Sequence, residues 1–307
     1  MKQQGPASLS KIRTLTEQGL LICPRCRAHL TSVFVEELAC SSCSAKWPIR
    51  DGILDFVGSA LIKVEDHQDE QVLPRILNGL IKGKSWEQVC FELNIDDYYY
   101  RYLVDSSRGD GLFLLPFGKS KVFLDVGCGF GTIAFTAAPL FRLVIAVDVS
   151  FTKLKAISLR AANEGKENVI PIRADALNLP FQEGSIDAVM LNGVLEWLGQ
   201  TYCSDQPTLI QLKTLKKIRQ LLKPGGRLFI GIENRYGLKY LLGYPEDHVR
   251  MRFIGVLPRW IANQVHKAKF GYPLRVYTFM VGTKQITSFC GFLQCAFLLA
   301  GYGLYCT

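Results

Sequence analysis

The chain lacks the features that would place it outside the ordinary globular class. Its opening, MKQQGPASLSKIRTLTEQG, has no uninterrupted apolar core of the kind a secretory leader needs. The expected compartment is therefore the reducing cytoplasm, and the 10 cysteines are expected as thiols or metal ligands. Charged residues make up only 21%, and no internal repeat is visible, while 49% hydrophobic residues over 307 positions exclude a disordered or collagen-like chain and supply a core. Histidine is scarce, and of the 4 present, His29, His67 and His266 have no carboxylate or cysteine partner at ligand spacing. Charge is missing altogether from Gln285 to Thr307, a run long enough to span a bilayer. Gly291, Gly301 and Gly303 break that run and Thr287, Ser288 and Gln294 interrupt it, so a buried helix, a turn and a core strand are expected there and no membrane span.

Positive charge is in excess by 9, which permits an anionic partner without demanding one. The excess is late: residues 233–307 hold 9 Lys and Arg against 3 Asp and Glu, whereas 61–120 are net acidic. Helical patterns such as Gln71 to Ile81 and Ser85 to Leu93 occupy that acidic stretch. From Lys121 onward apolar runs alternate with helical patterns, with strands expected near Val122–Val126, Leu143–Val147, Val169–Ile172, Ala188–Leu191 and Arg227–Ile232. Such alternation argues for right-handed crossovers and an α/β, doubly wound, mostly parallel sheet. The expected organisation is a small unit over 1–58, a helical connector or lid over 59–118, and the α/β domain over 119–307.

Cys23-Pro-Arg-Cys26 and Cys40-Ser-Ser-Cys43 are two CxxC pairs with 13 residues between them, close to the spacing by which two knuckles converge on one tetrahedral zinc. Metal would replace a core that some 35 residues cannot supply. Four thiolates leave no open coordination position, so the expected role is structural; the alternative is two redox dithiols. With the run Trp47-Pro48-Ile49-Arg50-Asp51-Gly52-Ile53 that follows, residues 20 to 57 resemble the zinc-ribbon family typified by the small activator subunit of RNA and protein methyltransferases.

Val122-Phe-Leu-Asp125-Val-Gly127-Cys-Gly129-Phe-Gly131-Thr132 reads as a strand entering a glycine turn and then a helix, which brings a ligand close to backbone at the carboxyl edge of the sheet. Asp125 is the discriminating residue, because a carboxylate there repels a pyrophosphate but attracts a ligand bearing an ammonium and a sulfonium. The spacing is GxGxG, not the dinucleotide GxGxxG. Asp148 ends the next strand, 17 residues past Gly131, where both ribose hydroxyls of an adenosine can be accepted. Asp175 and Ala176 follow the third strand, placed for an adenine amino group and ring, and Val149 is placed to pack on the base. Each acid alone could be a helix cap.

With AVDVS, RADALNLPF, SIDAVMLNGVLEWL and LLKPGGRLFI also in order, residues 121 to 232 resemble a class I S-adenosylmethionine-dependent methyltransferase with a type 11-like domain. The resemblance implies a Rossmann-like fold with Gly127, Gly129 and Gly131 at the methionine end, Asp148 at the ribose, Asp175 and Ala176 at the adenine, and Asn192 and Gly193 beneath the sulfonium. The fourth strand ends without the Asn/Asp-Pro-Pro-aromatic signature of exocyclic-amine methyltransferases and without the Pro-Cys of cytosine-C5 enzymes, and no DNA partner is expected. Glu233 to His248 resembles a stretch of bacterial methyltransferases that accompany glycosyltransferases. That likeness implies Asn234 and Arg235 on acceptor hydroxyls or an anion and His248 as general base, with Glu196 as a second candidate. The alternative is that Glu246 and Asp247 cap a helix and His248 is a satisfied surface histidine.

Two acceptor readings follow: O-methylation of a sugar, glycolipid or other small acceptor, and methylation of an RNA gripped by the ribbon and the basic carboxyl-terminal quarter. A third reading, a non-catalytic ribbon with a cofactor-binding fold, sits poorly with an intact glycine loop and three acids. The aromatic run Asp97-Tyr98-Tyr99-Tyr100-Arg101-Tyr102 lies where a lid would fold over the cofactor, or it covers the sheet. Residues Thr283 to Cys290 read as a last helix before closing antiparallel strands, one of which is expected to be missing or displaced because the chain stops at Thr307.

Overall fold

The computed structural model describes residues 5–30, 32–33, 36–58, 67–202, 206–232, 238–246, 248–276, 295–298 and 303–306. Helix α1 (Gly5–Glu17) precedes the short strands β1 (Ser32–Val33), β2 (Glu37–Ala39), β3 (Lys46–Arg50) and β4 (Ile53–Asp55). Helices α2 (His67–Ile81), α3 (Trp86–Glu92) and α4 (Asp97–Val104) and a 3-10 stretch (Ser106–Leu114) form the connector. The α/β part runs β5 (Gly118–Val126), α5 (Thr132–Ala137), β6 (Phe141–Asp148), α6 (Phe151–Asn163), β7 (Val169–Arg173), β8 (Ile186–Asn192), α7 (Leu198–Thr201), α8 (Pro207–Leu221) and β9 (Leu222–Gly231). Helices α9 (Leu238–Leu241) and α10 (Arg259–Phe270) and strands β10 (Cys295–Leu298) and β11 (Gly303–Cys306) complete it.

Among the described residues one eleven-stranded sheet has the order β1-β2-β3-β4-β7-β6-β5-β8-β9-β11-β10. Strands β7, β6, β5, β8 and β9 are mutually parallel, and β11 pairs antiparallel with both β9 and β10. Of the closing antiparallel strands, one of which is expected from the sequence to be missing or displaced, β11 lies between β9 and β10; the charge-free carboxyl-terminal run gave no periodicity from which a buried antiparallel pair could be separated. Thr283 to Cys290 lie outside the described residues. No described helix is long and apolar enough to cross a membrane.

The central strands read as unbroken apolar runs because both their faces are covered. Successive residues of β5 go to opposite layers. Leu124 packs with Ile145, Val189 and Ile218 beside Ile12, Leu15 and Leu38 of the amino-terminal part, while Phe123 packs with Val144, Met190, Ile133 and Leu154. The connector helices form a third cluster, in which Ile76, Trp86 and Leu103 cover Ala156 and Leu159 of α6 and Phe130 of the glycine turn. The capping box of α3 fixes its start: the Ser85 hydroxyl accepts from the Gln88 amide while the Gln88 side chain accepts from the Ser85 amide.

The two cysteine knuckles are alike to the level of single hydrogen bonds. The Arg27 amide donates to Cys23 O and the Ser44 amide to Cys40 O, at 2.8 and 2.9 Å, and the Cys23 and Cys40 amides donate to Ala28 O and Ala45 O, at 2.8 and 2.9 Å. Arg27 and Ser44 both sit in the left-handed region, with φ of 66° and 58°. The four sulfurs lie within 4.8 Å of one another, with Cys23–Cys43 at 3.7 Å and Cys26–Cys40 at 3.5 Å.

A β-pairing crosses from this unit into the α/β sheet. Strand β4 runs parallel to β7, with Leu54 opposite Ile172 and Asp55 opposite Arg173, and the Phe56 amide donates to Arg173 O at 2.8 Å. Asp55 is 1% exposed; its Oδ1 accepts from the Val57 amide at 2.9 Å and its Oδ2 from Arg173 Nη1 at 3.0 Å. Arg173 Nε donates in turn to Val149 O at 2.8 Å, so this buried pair reaches the loop that follows β6. Removing one partner of a buried pair leaves the other charge desolvated. Asp55→Ala is expected to lower unfolding free energy by about 3 kcal/mol, read from urea denaturation; a change near zero would refute the role of this joint.

Candidate active site

Strand order reverses between β5 and β8, and at such a switch point the loops beyond the carboxyl ends diverge and open a crevice. A cavity of about 740 Å³ lies there, lined by Gly127, Gly129, Asp148, Val149, Ala174, Ala176, Gly193, Glu196 and His248, and roofed by Tyr98, Tyr99 and Tyr102. A smaller cavity of about 50 Å³ continues behind the glycine turn, between Asp125, Arg108, Thr132, Asn192 and Gly193.

The turn forms as the sequence dictates. Gly127 has φ of 72°, and a Cβ there would meet the Val194 side chain at 2.3 Å, so both conformation and space demand glycine. The Gly127 and Cys128 amides donate to Val147 O at 2.8 and 3.0 Å, tying the turn to the end of β6. At Gly129 a Cβ would meet the Tyr102 hydroxyl at 2.7 Å, which shows how closely α4 covers the turn. Gly131 is the left-handed residue from which α5 begins.

Asp148 holds the loops rather than standing apart: Oδ2 accepts from the Gly129 amide at 2.9 Å and Oδ1 from the Ser150 amide at 2.8 Å. Each oxygen can accept a further hydrogen bond, and Asp148 lines the cavity. Asp175 turns away from it. Its Oδ1 accepts from the Leu177 amide at 2.9 Å and from the Tyr202 hydroxyl, and its Oδ2 from Asn178 Nδ2 at 3.3 Å, leaving Ala174 and Ala176 as the wall. Burial holds the Asp175 carboxyl above the usual carboxylate range, opposed by the Leu177 amide and Asn178.

Asp125 is 1% exposed, and its Oδ2 has no hydrogen-bond partner among the described residues. Burial pushes its pKa up to about 7, with Asp148 adding to the rise and Arg108 opposing it. Arg108, from the 3-10 stretch, reaches the same small cavity with its guanidinium 4.4 Å from the Tyr102 ring centroid, and its buried Nε also has no hydrogen-bond partner. Asn192 Nδ2 donates to Arg108 O at 3.5 Å, and the Gly193 amide donates to Gly231 O at 2.9 Å, which fixes the floor at the end of β8. Cys128 is half-buried and its thiol is held far above its ordinary pKa by burial, so it fills space without nucleophilic character.

Above the cavity, Asp69 of α2 accepts from the Tyr99 hydroxyl and lies 2.5 Å from Lys153 Nζ of α6. Burial disfavours the Lys153 ammonium, but Tyr102, Asp148 and Asp69 around it outweigh that and hold its pKa above the ordinary lysine value. The aromatic run therefore contributes Tyr98, Tyr99 and Tyr102 to the roof, and α2, α4 and α6 meet at one buried ion pair.

The far wall carries a histidine between two glutamates. Glu196 is fully buried, with neither oxygen accepting a hydrogen bond among the described residues; its Oε1 lies 3.5 Å from His248 Nε2. His248 Nδ1 lies 2.5 Å from Glu246 Oε1, and Glu246 Oε2 accepts from the His248 and Val249 amides at 2.9 and 2.8 Å. Burial raises the Glu246 carboxyl, but His248 and these amides outweigh it and hold the pKa below the usual value. Glu246 thus fixes the ring through Nδ1, and Nε2 faces Glu196. Trp197 packs edge-on to the imidazole at 4.9 Å. Asn234 and Arg235 lie outside the described residues.

Arg108, Lys153 and Glu246 belong to the candidate site but were missed by motif reading, whereas Tyr102 belongs to the aromatic run. The first two come from segments without a recognisable spacing; Glu246, two positions before His248, carried a signal that reads equally as a cap.

A methyltransferase-domain family matches residues 124–230. An uncharacterised chloroplastic methyltransferase of Arabidopsis thaliana is 34% identical over 109 residues, covering 34% of this chain and 28% of that protein. The ubiquinone biosynthesis O-methyltransferase of Xanthomonas axonopodis is 32% identical over 112 residues, covering 36% of this chain and 43% of that protein. A crystal structure of the PH0226 protein from Pyrococcus horikoshii superposes with a TM-score of 0.47 at 18% identity, over 69% of this chain and 91% of that one. The chain thus spans less than half the length of the curated relatives named here. Residues 124–230 match the methyltransferase-domain family and form most of a Rossmann-like, mostly parallel sheet.

Proposed function

We propose that this chain is an S-adenosylmethionine-dependent methyltransferase acting on an oxygen of a small or glycan-like acceptor. The observation that carries the cofactor assignment is a pair of buried polar atoms on groups of opposite charge, Asp125 Oδ2 and Arg108 Nε, both on one small cavity and without a hydrogen-bond partner among the described residues. Leaving either unanswered is costly, and the zwitterionic end of an α-amino acid answers both, ammonium to Asp125 and carboxylate to Arg108. Gly127 and Gly129 would admit the same group to the backbone, Asp148 would accept from ribose hydroxyls on its free lone pairs, and Val149, Ala174 and Ala176 would receive the base. S-adenosylmethionine supplies an activated methyl carbon when bound. What remains for the protein is to hold an acceptor in line and to take its proton.

His248 and Glu196 are suited to that second task. Glu246 orients the imidazole through Nδ1, Glu196 presents two oxygens without a donor among the described residues, and Glu196 and His248 both line the larger cavity. An acceptor hydroxyl would donate to Nε2 or Glu196 and lose its proton there as the new bond forms. The Xanthomonas relative is named an O-methyltransferase, in keeping with this reading. Asn234 and Arg235 are proposed to bind the acceptor. The four cysteine sulfurs suit one structural zinc, since all lie within 4.8 Å of one another, close enough to share a single four-coordinate ion. Residues 1–58 would then act as a resident partner of the 119–307 domain, with 59–118 as its lid.

Three outcomes test these assignments. Because Asp125 has a pKa near 7 when unliganded, an ammonium ligand must displace its proton. Calorimetric affinity for S-adenosylmethionine is expected to tighten as pH rises through 7 and level off above it, with a proton released into buffer; flat affinity would remove Asp125 from the site. Glu196→Gln and His248→Ala are each expected to lower methyl transfer by about 100-fold or more at unchanged cofactor affinity, and full activity in both would sink the base assignment. Metal analysis after dialysis is expected to return one zinc per chain, lost with unfolding in Cys40→Ser; absence of metal in folded protein would contradict the ribbon.

A further inference from the structure

The turn from Leu238 to Phe253 is built around an inward set of Tyr240 and Glu246, with Ile254 next to it, all buried. Its outward set is apolar and large: Leu238 and Leu242 are each 70% exposed, Tyr244 63%, Leu241 53% and Phe253 48%. These side chains are not an unfinished core, since the segment already has one. Nor is the shape accidental. Gly243, with φ of 86°, lets the Phe253 ring lie against its backbone, Pro245 bridges to Arg252, and Arg250 and Phe253 both hold the left-handed backbone that side chains ordinarily avoid. The fold spends local strain to keep Phe253 outward and Arg250 on the cavity wall.

The charge around this apolar cap has one sign among its exposed, described residues. Arg250 and Arg252 are exposed and Lys239 is partly so, while Glu246 is buried and committed to His248. An apolar tip whose described surface charges are the cations Arg250, Arg252 and Lys239 matches an interface whose interior is hydrocarbon and whose surface is anionic. Alongside Tyr244 and Phe253, the three most protruding aliphatic side chains, Leu238, Leu241 and Leu242, offer no π-face for base stacking, which favours lipid over single-stranded RNA.

We propose that the Leu238–Phe253 turn docks this protein on anionic lipid bilayers, with Leu238, Leu241 and Leu242 entering the acyl boundary and Arg252 and Lys239 on the headgroups. Arg250 joins the cap to the cavity, so the docked face stands beside the cavity mouth and an acceptor with a lipid tail could present its polar head without leaving the bilayer. Docking itself does not depend on the methyl-transfer reading.

The test is flotation of the full chain with vesicles of phosphatidylcholine alone and of phosphatidylcholine with phosphatidylglycerol. Binding is expected only to the anionic vesicles, weakening as salt rises. The double substitution Leu238→Glu with Leu242→Glu is expected to lower partitioning at least about tenfold while thermal midpoint and cofactor affinity stay put. No vesicle binding by the wild-type chain at low salt would overturn the proposal, as would a double variant that binds unchanged. Tight binding of a single-stranded RNA oligonucleotide without vesicle binding, or a dimer that the same double variant dissolves, would assign the cap elsewhere and equally overturn it.

Discussion

A carboxylate held out of water with one oxygen unanswered is the constraint on which this molecule turns. Asp125 ends the central strand of the sheet, where parallel neighbours bury it from both sides, and its charge is tolerable only if something positive arrives. Arg108 comes close without closing a hydrogen bond through Nε, so the small cavity keeps room for a group carrying both signs. The glycine turn, the Asp148 clamp on the Gly129 amide and the floor at Gly193 all serve to keep backbone close to that spot while leaving it open.

The amino-terminal unit bears on the same place from the opposite direction. Strand β4 lies against the edge of β7, and the Asp55–Arg173 pair passes its restraint to Val149, beside the wall that would receive a base. An edge strand with unpaired amides invites aggregation unless it is covered, and here β4 of the amino-terminal unit pairs with that edge. Holding this unit in place and shaping the wall of the cavity are thus linked through the same strand.

The connector contributes the roof. Asp69, Tyr99 and Lys153 meet from three helices, and Tyr102 lies over Gly129. Opening that roof would separate a buried ion pair, so access and closure are coupled to a few polar contacts rather than to the sheet.

How much of this was legible in the residues follows from the range of the interactions. The sequence by itself determined what depends on local geometry: the five parallel strands through their apolar runs, the glycine turn through its left-handed positions, and the two knuckles through CxxC spacing, each fixed by neighbours a few residues away. Tertiary structure decided what depends on distant partners. The β4–β7 pairing joins residues 118 apart at Asp55 and Arg173, the two closing strands come from a run without periodicity, Arg108 enters the small cavity from outside every motif, and Asp175 spends its carboxylate on Tyr202. A three-residue strand such as β4 carries too little pattern to name its neighbour. The burial that makes Asp125 and Glu196 chemically distinctive exists only after the layers close over them.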